Sequence, residues 1–202
     1  LGPLFKVMDI NMSAAGTVSA VMDAKIDKGQ FEKLQGNVNA SNLDVTGKAL
    51  KGDRIQTAKL QSTINLNTNE KAINIENLQI ETDGLTADVK GTIPKTINSL
   101  ESFMKADSSD SLAAKFDCDV AKTFKQIKTI AKFKENFDIN YGRLSGDVST
   151  QAQNGKRVLS GNIKLWALEG KFPVKRIVLS KPVTIDAIIS SQQDKITVDK
   201  LA

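Results

Sequence analysis

The chain has 202 residues, 40% of them hydrophobic but only 5% aromatic, with 28 basic against 23 acidic side chains, a net charge of +5 and no histidine. The missing histidine excludes Ser-His-Asp and Cys-His nucleophilic pairs and most zinc sites. The charges of both signs are interspersed and the basic residues do not interleave with aromatics, so nucleic acid is not an expected partner.

In chain order, Val18, Ala20, Met22, Ala24 and Ile26 are apolar at every second position, the period of a strand with one dry and one wet face. Leu34, Gly36, Val38 and Ala40 repeat the pattern, and Asn42 interrupts it before Leu43 and Val45. Leu60, Ser62, Ile64 and Leu66 follow, then Ile73, Ile75, Leu78 and Ile80, then Leu85, Ala87, Val89, Gly91 and Ile93. Asp27-Lys-Gly29, Lys51-Gly52-Asp53, Asn67-Thr-Asn69 and Asp83-Gly84 separate the runs with residues that tolerate tight turns, so the strands read as an antiparallel meander. Pro94 ends the run, and Ile97, Leu100, Phe103 and Met104 predict a short helix near 95–106.

Alternation returns at Leu112–Cys118, where the lone cysteine is expected to point inward as a small hydrophobe. Val120, Phe124, Ile127 and Ala131 then fall at helical spacing and predict an amphipathic helix over 120–135 with lysines on its polar side. This helix reads either as a cover for the end of the sheet or as a lid or membrane-surface element presenting Phe124, Ile127, Ile130 and Phe133. Strand patterns resume from Phe137 through Leu144–Val148, Leu159–Leu165, Ile177–Leu179, Val183–Ile189 and Ile196–Leu201. Tyr141, Trp166 and Phe172 read as isolated packing aromatics.

Parts of this pattern occur twice. Phe31-x-x-Leu34-Gln-Gly36-Asn-Val38 recurs as Tyr141-x-x-Leu144-Ser-Gly146-Asp-Val148, and Leu50-Lys-Gly52 as Leu168-Glu-Gly170. Ser62-Thr-Ile64-Asn recurs as Val183-Thr-Ile185-Asp, and Lys71-Ala-Ile73-Asn-Ile75-Glu-Asn-Leu78 as Asp194-Lys-Ile196-Thr-Val198-Asp-Lys-Leu201. The expected organisation is a first β repeat over 1–94, a short helix and linker over 95–111, and a second β repeat over 112–202 with the helical insertion at 120–135. The expected fold is mainly β: an antiparallel meander forming either an open or half-closed curved sheet or a closed sandwich, with two short helices. The chain begins without Met and stops just after a strand pattern, so it is expected to be a fragment of a longer protein.

No residues stand in a catalytic, cofactor-binding or metal-binding pattern. Asp23, Asp27, Asp44 and Asp88 alternate with apolar neighbours and read as wet-face positions. Asp107–Leu112 lacks the glycine and terminal glutamate of a calcium loop. Glycines occur singly rather than as a phosphate-cradling cluster. No enzyme activity and no cofactor are expected. The remaining feature is the extended apolar face, whose expected lining is Val18, Met22, Leu34, Val38, Ile64, Leu66, Ile75, Ile80, Val89, Val148, Ile163, Ile185 and Val198. In a closed sandwich these residues are core; in an open sheet they line a groove able to hold acyl chains.

Leu34-Gln-Gly36-Asn-Val38-x-Ala40-Ser-Asn-Leu43-Asp-Val45-x-Gly47, Ile73-Asn-Ile75-Glu-Asn77-Leu78-x-Ile80 and Leu85-Thr-Ala87-Asp-Val89-Lys-Gly91-Thr-Ile93 resemble the repeats of AsmA-like and TamB-like bacterial envelope proteins. The resemblance covers most of the chain outside the two helical pieces, and the helix at 120–135 departs from it. It implies a periplasmic protein, anchored in the inner membrane through its parent chain, whose β repeats curl into an apolar, taco-like or tube-like groove. It also implies phospholipid or a membrane surface and other envelope proteins as partners, with roles in lipid transport and outer-membrane biogenesis. The alternative is a closed structural or adhesive β scaffold of a secreted or surface protein. A carbohydrate-binding module has less support, since aromatic platforms are scarce.

Overall fold

The computed structural model describes residues 12–27, 30–95, 111–127, 137–153, 156–172, 175–192 and 195–201. They form one antiparallel sheet of eleven strands. The strands are β1 (Met12–Asp27), β2 (Gln30–Gly47), β3 (Ile55–Thr68), β4 (Ala72–Thr82), β5 (Leu85–Pro94), β6 (Leu112–Asp119), β7 (Asp138–Gln153), β8 (Lys156–Phe172), β9 (Lys175–Val178), β10 (Val183–Gln192) and β11 (Lys195–Leu201). The spatial order is β1-β2-β3-β4-β5-β6-β7-β8-β10-β11, with the short β9 pairing onto the end of β8. Apart from β9 and β10, consecutive strands lie side by side, and at β3–β4 and β4–β5 the short polar links permit little else.

Two of the predicted turns show their chemistry directly. Asn69 Oδ1 accepts hydrogen bonds from the amides of Lys71 (2.9 Å) and Ala72 (2.8 Å), closing the β3–β4 hairpin. Thr82 Oγ1 accepts from Gly84 (3.2 Å) and Leu85 (2.9 Å) to turn β4 into β5. Between β2 and β3 a short 3-10 turn, Lys48–Leu50, leads into Lys51 at φ 51° and Gly52 at φ 96°.

The two halves of the chain meet inside the sheet, not at a boundary. β5 pairs β6 from Leu85↔Cys118 to Gly91↔Leu112. The segments matched in sequence do not hold equivalent places either. β3 lies directly beside β2, whereas β10 is separated from β7 by β8, and the second half carries two extra strands, β8 and β9, within the matched span.

One described helix, α1 (Val120–Ile127), grows directly out of β6. Asp119 Oδ1 accepts from the Lys122 amide at 2.9 Å, satisfying one of the unpaired donors of the first turn. The helix packs mainly on β7 and also touches β6 and β3. Ala121 and Phe124 form a buried cluster with Ile139, lined by Val120, Phe137 and Leu168. The predicted helix near 95–106 and the continuation of α1 beyond Ile127 lie outside the described residues.

Candidate functional site: an apolar sheet face

Cross-strand partners in an antiparallel sheet project to the same side, so the register decides which residues share a face. One row runs Met22, Gly36, Ile64, Leu78, Val89, Ala114, Val148, Gly161, Ala187 and Leu201, spanning the sheet from edge to edge. Beside it lies Ala20, Val38, Ser62, Ile80, Ala87, Phe116, Gly146, Ile163 and Ile185. A third row carries Ala24, Leu34, Leu66, Ile75, Gly91, Leu112, Thr150, Leu159, Ile189 and Val198, and Val18 faces Ala40 and Leu60 beyond the second. Every residue of the expected lining therefore sits on one face. Leu60, Leu78, Leu112, Phe116, Leu144, Leu159, Leu165 and Ile189 share it and were legible in the same alternation.

Two irregularities keep this face apolar where strict alternation fails. In β4, Glu76 and Asn77 stand between Ile75 and Leu78, yet Ile75 pairs Gly91 and Leu78 pairs Val89, so a bulge returns both to the apolar side. The displaced Glu76 carboxylate accepts hydrogen bonds from the side-chain amides of Asn65 (2.5 Å) and Asn67 on the polar side. In β2, Asn42 takes φ 50° and gives that strand an extra residue opposite Gly16, which stands at φ 118°. A Cβ on Gly16 would come within 2.6 Å of the Asn42 carbonyl oxygen. Asparagine tolerates the left-handed region and glycine permits the close approach.

The opposite face is a polar ladder. Its central row reads Asn37, Thr63, Gln79, Asp88, Lys115, Asp147, Asn162 and Asp186. Thr63 Oγ1 donates to Asn37 Oδ1 at 2.9 Å, and Asn162 Nδ2 to Asp186 Oδ1 at 2.5 Å. Asn37, Asn39, Gln61, Thr63, Gln79, Glu81 and Asp88 line a shallow depression of about 460 Å³ on this side. Its carboxylates alternate with amides and hydroxyls, and Glu81 is held by Lys59 at 2.8 Å. Trp166 lies on the polar side, with the Arg143 guanidinium 5.7 Å and the Lys164 ammonium 5.6 Å from its ring centre. Arg143 also donates to Asp117 at 2.8 Å, an ion pair that raises its own pKa.

How the apolar face is covered separates an open sheet from a sandwich. In a closed sandwich, residues at strand centres are fully buried by the facing sheet. Here Leu34, Val38, Ile64, Leu66, Leu78, Ile80, Val89, Val148 and Ile163 are only partly buried. Neighbouring strands pack closely within the face: a Cβ on Gly36 would lie 2.7 Å from Met22 Sδ, and one on Gly146 3.1 Å from Phe116 Cζ. Exposure rises towards both edges, to 39% at Met22, 42% at Ile185, 60% at Val198 and 71% at Leu201. Full burial of apolar side chains is concentrated at the helix end, at Val45, Leu50, Cys118, Ala121, Phe124 and Ile139. Ala40 and Ile75 are the buried apolar residues elsewhere on the described sheet. Among the described residues, no second layer covers the face.

At the helix end, Gln126 Nε2 donates to the Gln56 carbonyl oxygen at 2.5 Å, and Lys122 Nζ to that of Asp83 at 3.0 Å. These contacts tie α1 to the start of β3 and to the β4–β5 turn, beside its packing on β7. The reading of α1 as a membrane-facing or lid element through Phe124 is corrected: Phe124 is 5% exposed and packed against Ile139. Ile127 is partly buried, and Ile130 and Phe133 lie outside the described residues. Tyr141, expected to pack, is 60% exposed, while the side chain of Phe172 lies outside the description.

The titratable groups with displaced pKa values serve structure. Asp44 is held below its ordinary value by hydrogen bonds from Arg54, and Asp83 by the Thr57 hydroxyl. Burial pushes the Cys118 thiol upward, away from the reactive thiolate. Among the described residues there is no group of three or more His, Cys, Asp or Glu placed to hold a metal, and no helix long and apolar enough to cross a membrane. No family model, curated protein or solved structure matches the chain.

Proposed function

We propose that this chain is a stretch of wall from a non-enzymatic cell-envelope protein of AsmA-like or TamB-like type, whose apolar face receives phospholipid acyl chains between the two membranes or during outer-membrane assembly. The observation that carries the reading is the apolar face itself: continuous from β1 to β11 and only partly covered. Strands of 10 to 18 residues on β2–β5 reach about 33–60 Å at roughly 3.3 Å per residue. Half the hydrocarbon thickness of a bilayer is about 15 Å, so an acyl chain fits along the strands with length to spare. Covering apolar surface stabilises by roughly 25 cal/mol per Å², which gives lipid a driving force without any polar recognition element. The polar ladder on the other face keeps that side in water. On this reading the parent protein is periplasmic and anchored in the inner membrane.

The test is native mass spectrometry with lipid extraction on the chain purified from bacterial membranes under mild conditions. Co-purifying phospholipid that is lost in Ile64→Lys, with the circular dichroism of the sheet retained, supports the groove. A folded wild-type chain that carries no lipid and acquires none from anionic phospholipid vesicles overturns it in favour of a structural scaffold.

A further inference from the structure

We infer that the polar face carries a binding site of its own, a shallow trough across β2–β7 that takes an uncharged, extended oligosaccharide. The depression of about 460 Å³ over β2–β5 has a neighbour of about 310 Å³ over the β4–β5 turn, β6 and β7, and Thr86 lines both. The strand register explains the continuity. Asn39, Gln61, Glu81, Thr86 and Asp117 pair in turn from β2 to β6, so one polar row forms the floor of the trough. Its four strand-to-strand steps of about 4.8 Å make that row about 19 Å long, the reach of an extended chain of several sugar rings.

The side chains along the trough select the ligand class. Asn39, Gln61, Gln79 and Thr86 are exposed and make no side-chain hydrogen bond among the described residues. An amide offers donors and an acceptor, and a hydroxyl offers both, which matches sugar hydroxyls that each donate and accept. The carboxylates, by contrast, are already engaged. Glu81 is held by Lys59 at 2.8 Å and Asp117 by Arg143 at 2.8 Å. Asp83 faces Lys122 at 3.5 Å, and Asp119 accepts from the Lys122 amide at 2.9 Å. Asp88 stands directly across from Lys115 in the β5–β6 register. With its charges matched on site, the trough offers little net field to draw an ion, which favours a neutral ligand.

Tyr141 supplies what a wet strand face otherwise lacks. It is 60% exposed and lines the β7 end of the trough beside Arg143. A pyranose ring presents C–H groups on one face, and these pack against an aromatic ring while the hydroxyls at its edge reach flanking polar groups. Exchanging water for a sugar hydroxyl at an exposed amide yields little net free energy, so the Tyr141 ring carries a large share of a modest affinity. The inference is independent of the lipid reading, which concerns the opposite face.

Calorimetric titration of the 202-residue chain with cellohexaose and with chitohexaose, two neutral β-linked hexasaccharides, tests it. Saturable binding of at least one is expected, unchanged between low and high salt. Tyr141→Ala weakens it about fivefold to tenfold and Gln79→Ala about threefold, whereas Tyr141→Phe keeps it. Gln79 is exposed on β4 and α1 packs mainly on β7, so Gln79→Ala serves if Tyr141→Ala disturbs the helix packing. No binding of either sugar at millimolar concentration overturns the inference. So does binding that either alanine variant leaves unchanged in a folded chain, as a site on the apolar face would give. Binding that high salt abolishes also overturns it, since that result assigns the trough to an ionic ligand.

Discussion

Ile64→Lys separates an open face from a closed core by its cost in stability. Ile64 lies third from the β1 edge in the row that crosses the sheet, between Gly36 and Leu78, and is only partly buried. Fully burying an isoleucine side chain is worth about 1.5–3 kcal/mol, so the partial burial seen here contributes roughly 1–2 kcal/mol. Lysine keeps part of that contribution by laying its methylene stem along Leu34 and Leu78 while the ammonium reaches water over the uncovered face. The expected loss is therefore about 1–2 kcal/mol, read as a lower urea midpoint with an unchanged slope. Under a facing sheet the same ammonium would be desolvated without a partner, at a cost of several kcal/mol, and cooperative folding would be lost. A measured loss above about 4 kcal/mol, or a chain unfolded in buffer, refutes the open-face reasoning.

The remaining predictions concern the ends and turns of the sheet. Phe124→Ala removes the largest fully buried side chain of the described residues and is expected to cost about 3 kcal/mol in urea unfolding; a loss under about 1 kcal/mol would mean that α1 does not anchor the sheet end. Gly91→Ala forces an L-residue to φ 127° with its Cβ overlapping the Ser111 carbonyl at the β5–β6 junction, and is expected to destabilise by roughly 2 kcal/mol or more. Wild-type-like thermal unfolding of that variant would contradict the β5–β6 register. Thr57 Oγ1 lies within hydrogen-bonding reach of Asp83 and of the Lys59 carbonyl oxygen (2.6 Å), and its bond to Asp83 is the main cause of that carboxyl's lowered pKa. A carboxyl depressed in the folded state stabilises above its unfolded pKa of about 3.9 and loses that contribution as the pH falls through the folded value. Thr57→Val is therefore expected to shrink the fall in urea midpoint between about pH 5 and pH 3, and an unchanged fall would remove Thr57 as the cause.

Strand alternation carried much of the architecture because it is a local property. Residues such as Val38, Ile80 and Ile163 declare a wet and a dry side without reference to any partner, and tight polar links such as Asn67–Asn69 leave each strand little choice but to pair with the next. The α1 surface was less legible. Helical spacing marks an apolar stripe at Val120, Phe124 and Ile127 but does not say whether the stripe meets a membrane or β7, and packing against Ile139 and Leu168 decides that for Phe124. Among the matched segments, Val183–Asp186 lies on β10, which pairs β11 as β3 with Ser62–Asn65 pairs β4, but its other neighbour is β8 where β3 has β2.

The sequence alone determined that strands alternate, where turns fall, that histidine-dependent chemistry is absent and which side chains seek a dry side, since each depends on residues a few positions apart. Only the tertiary structure decided that those dry sides align into rows across eleven strands. Bulges at Glu76-Asn77 and Asn42 shift the register by one residue, and a one-residue shift would otherwise turn every following side chain to the opposite face. It also decided that the described face has no covering sheet, because partial burial is a property of what lies across a surface and leaves no mark on the alternation that builds it.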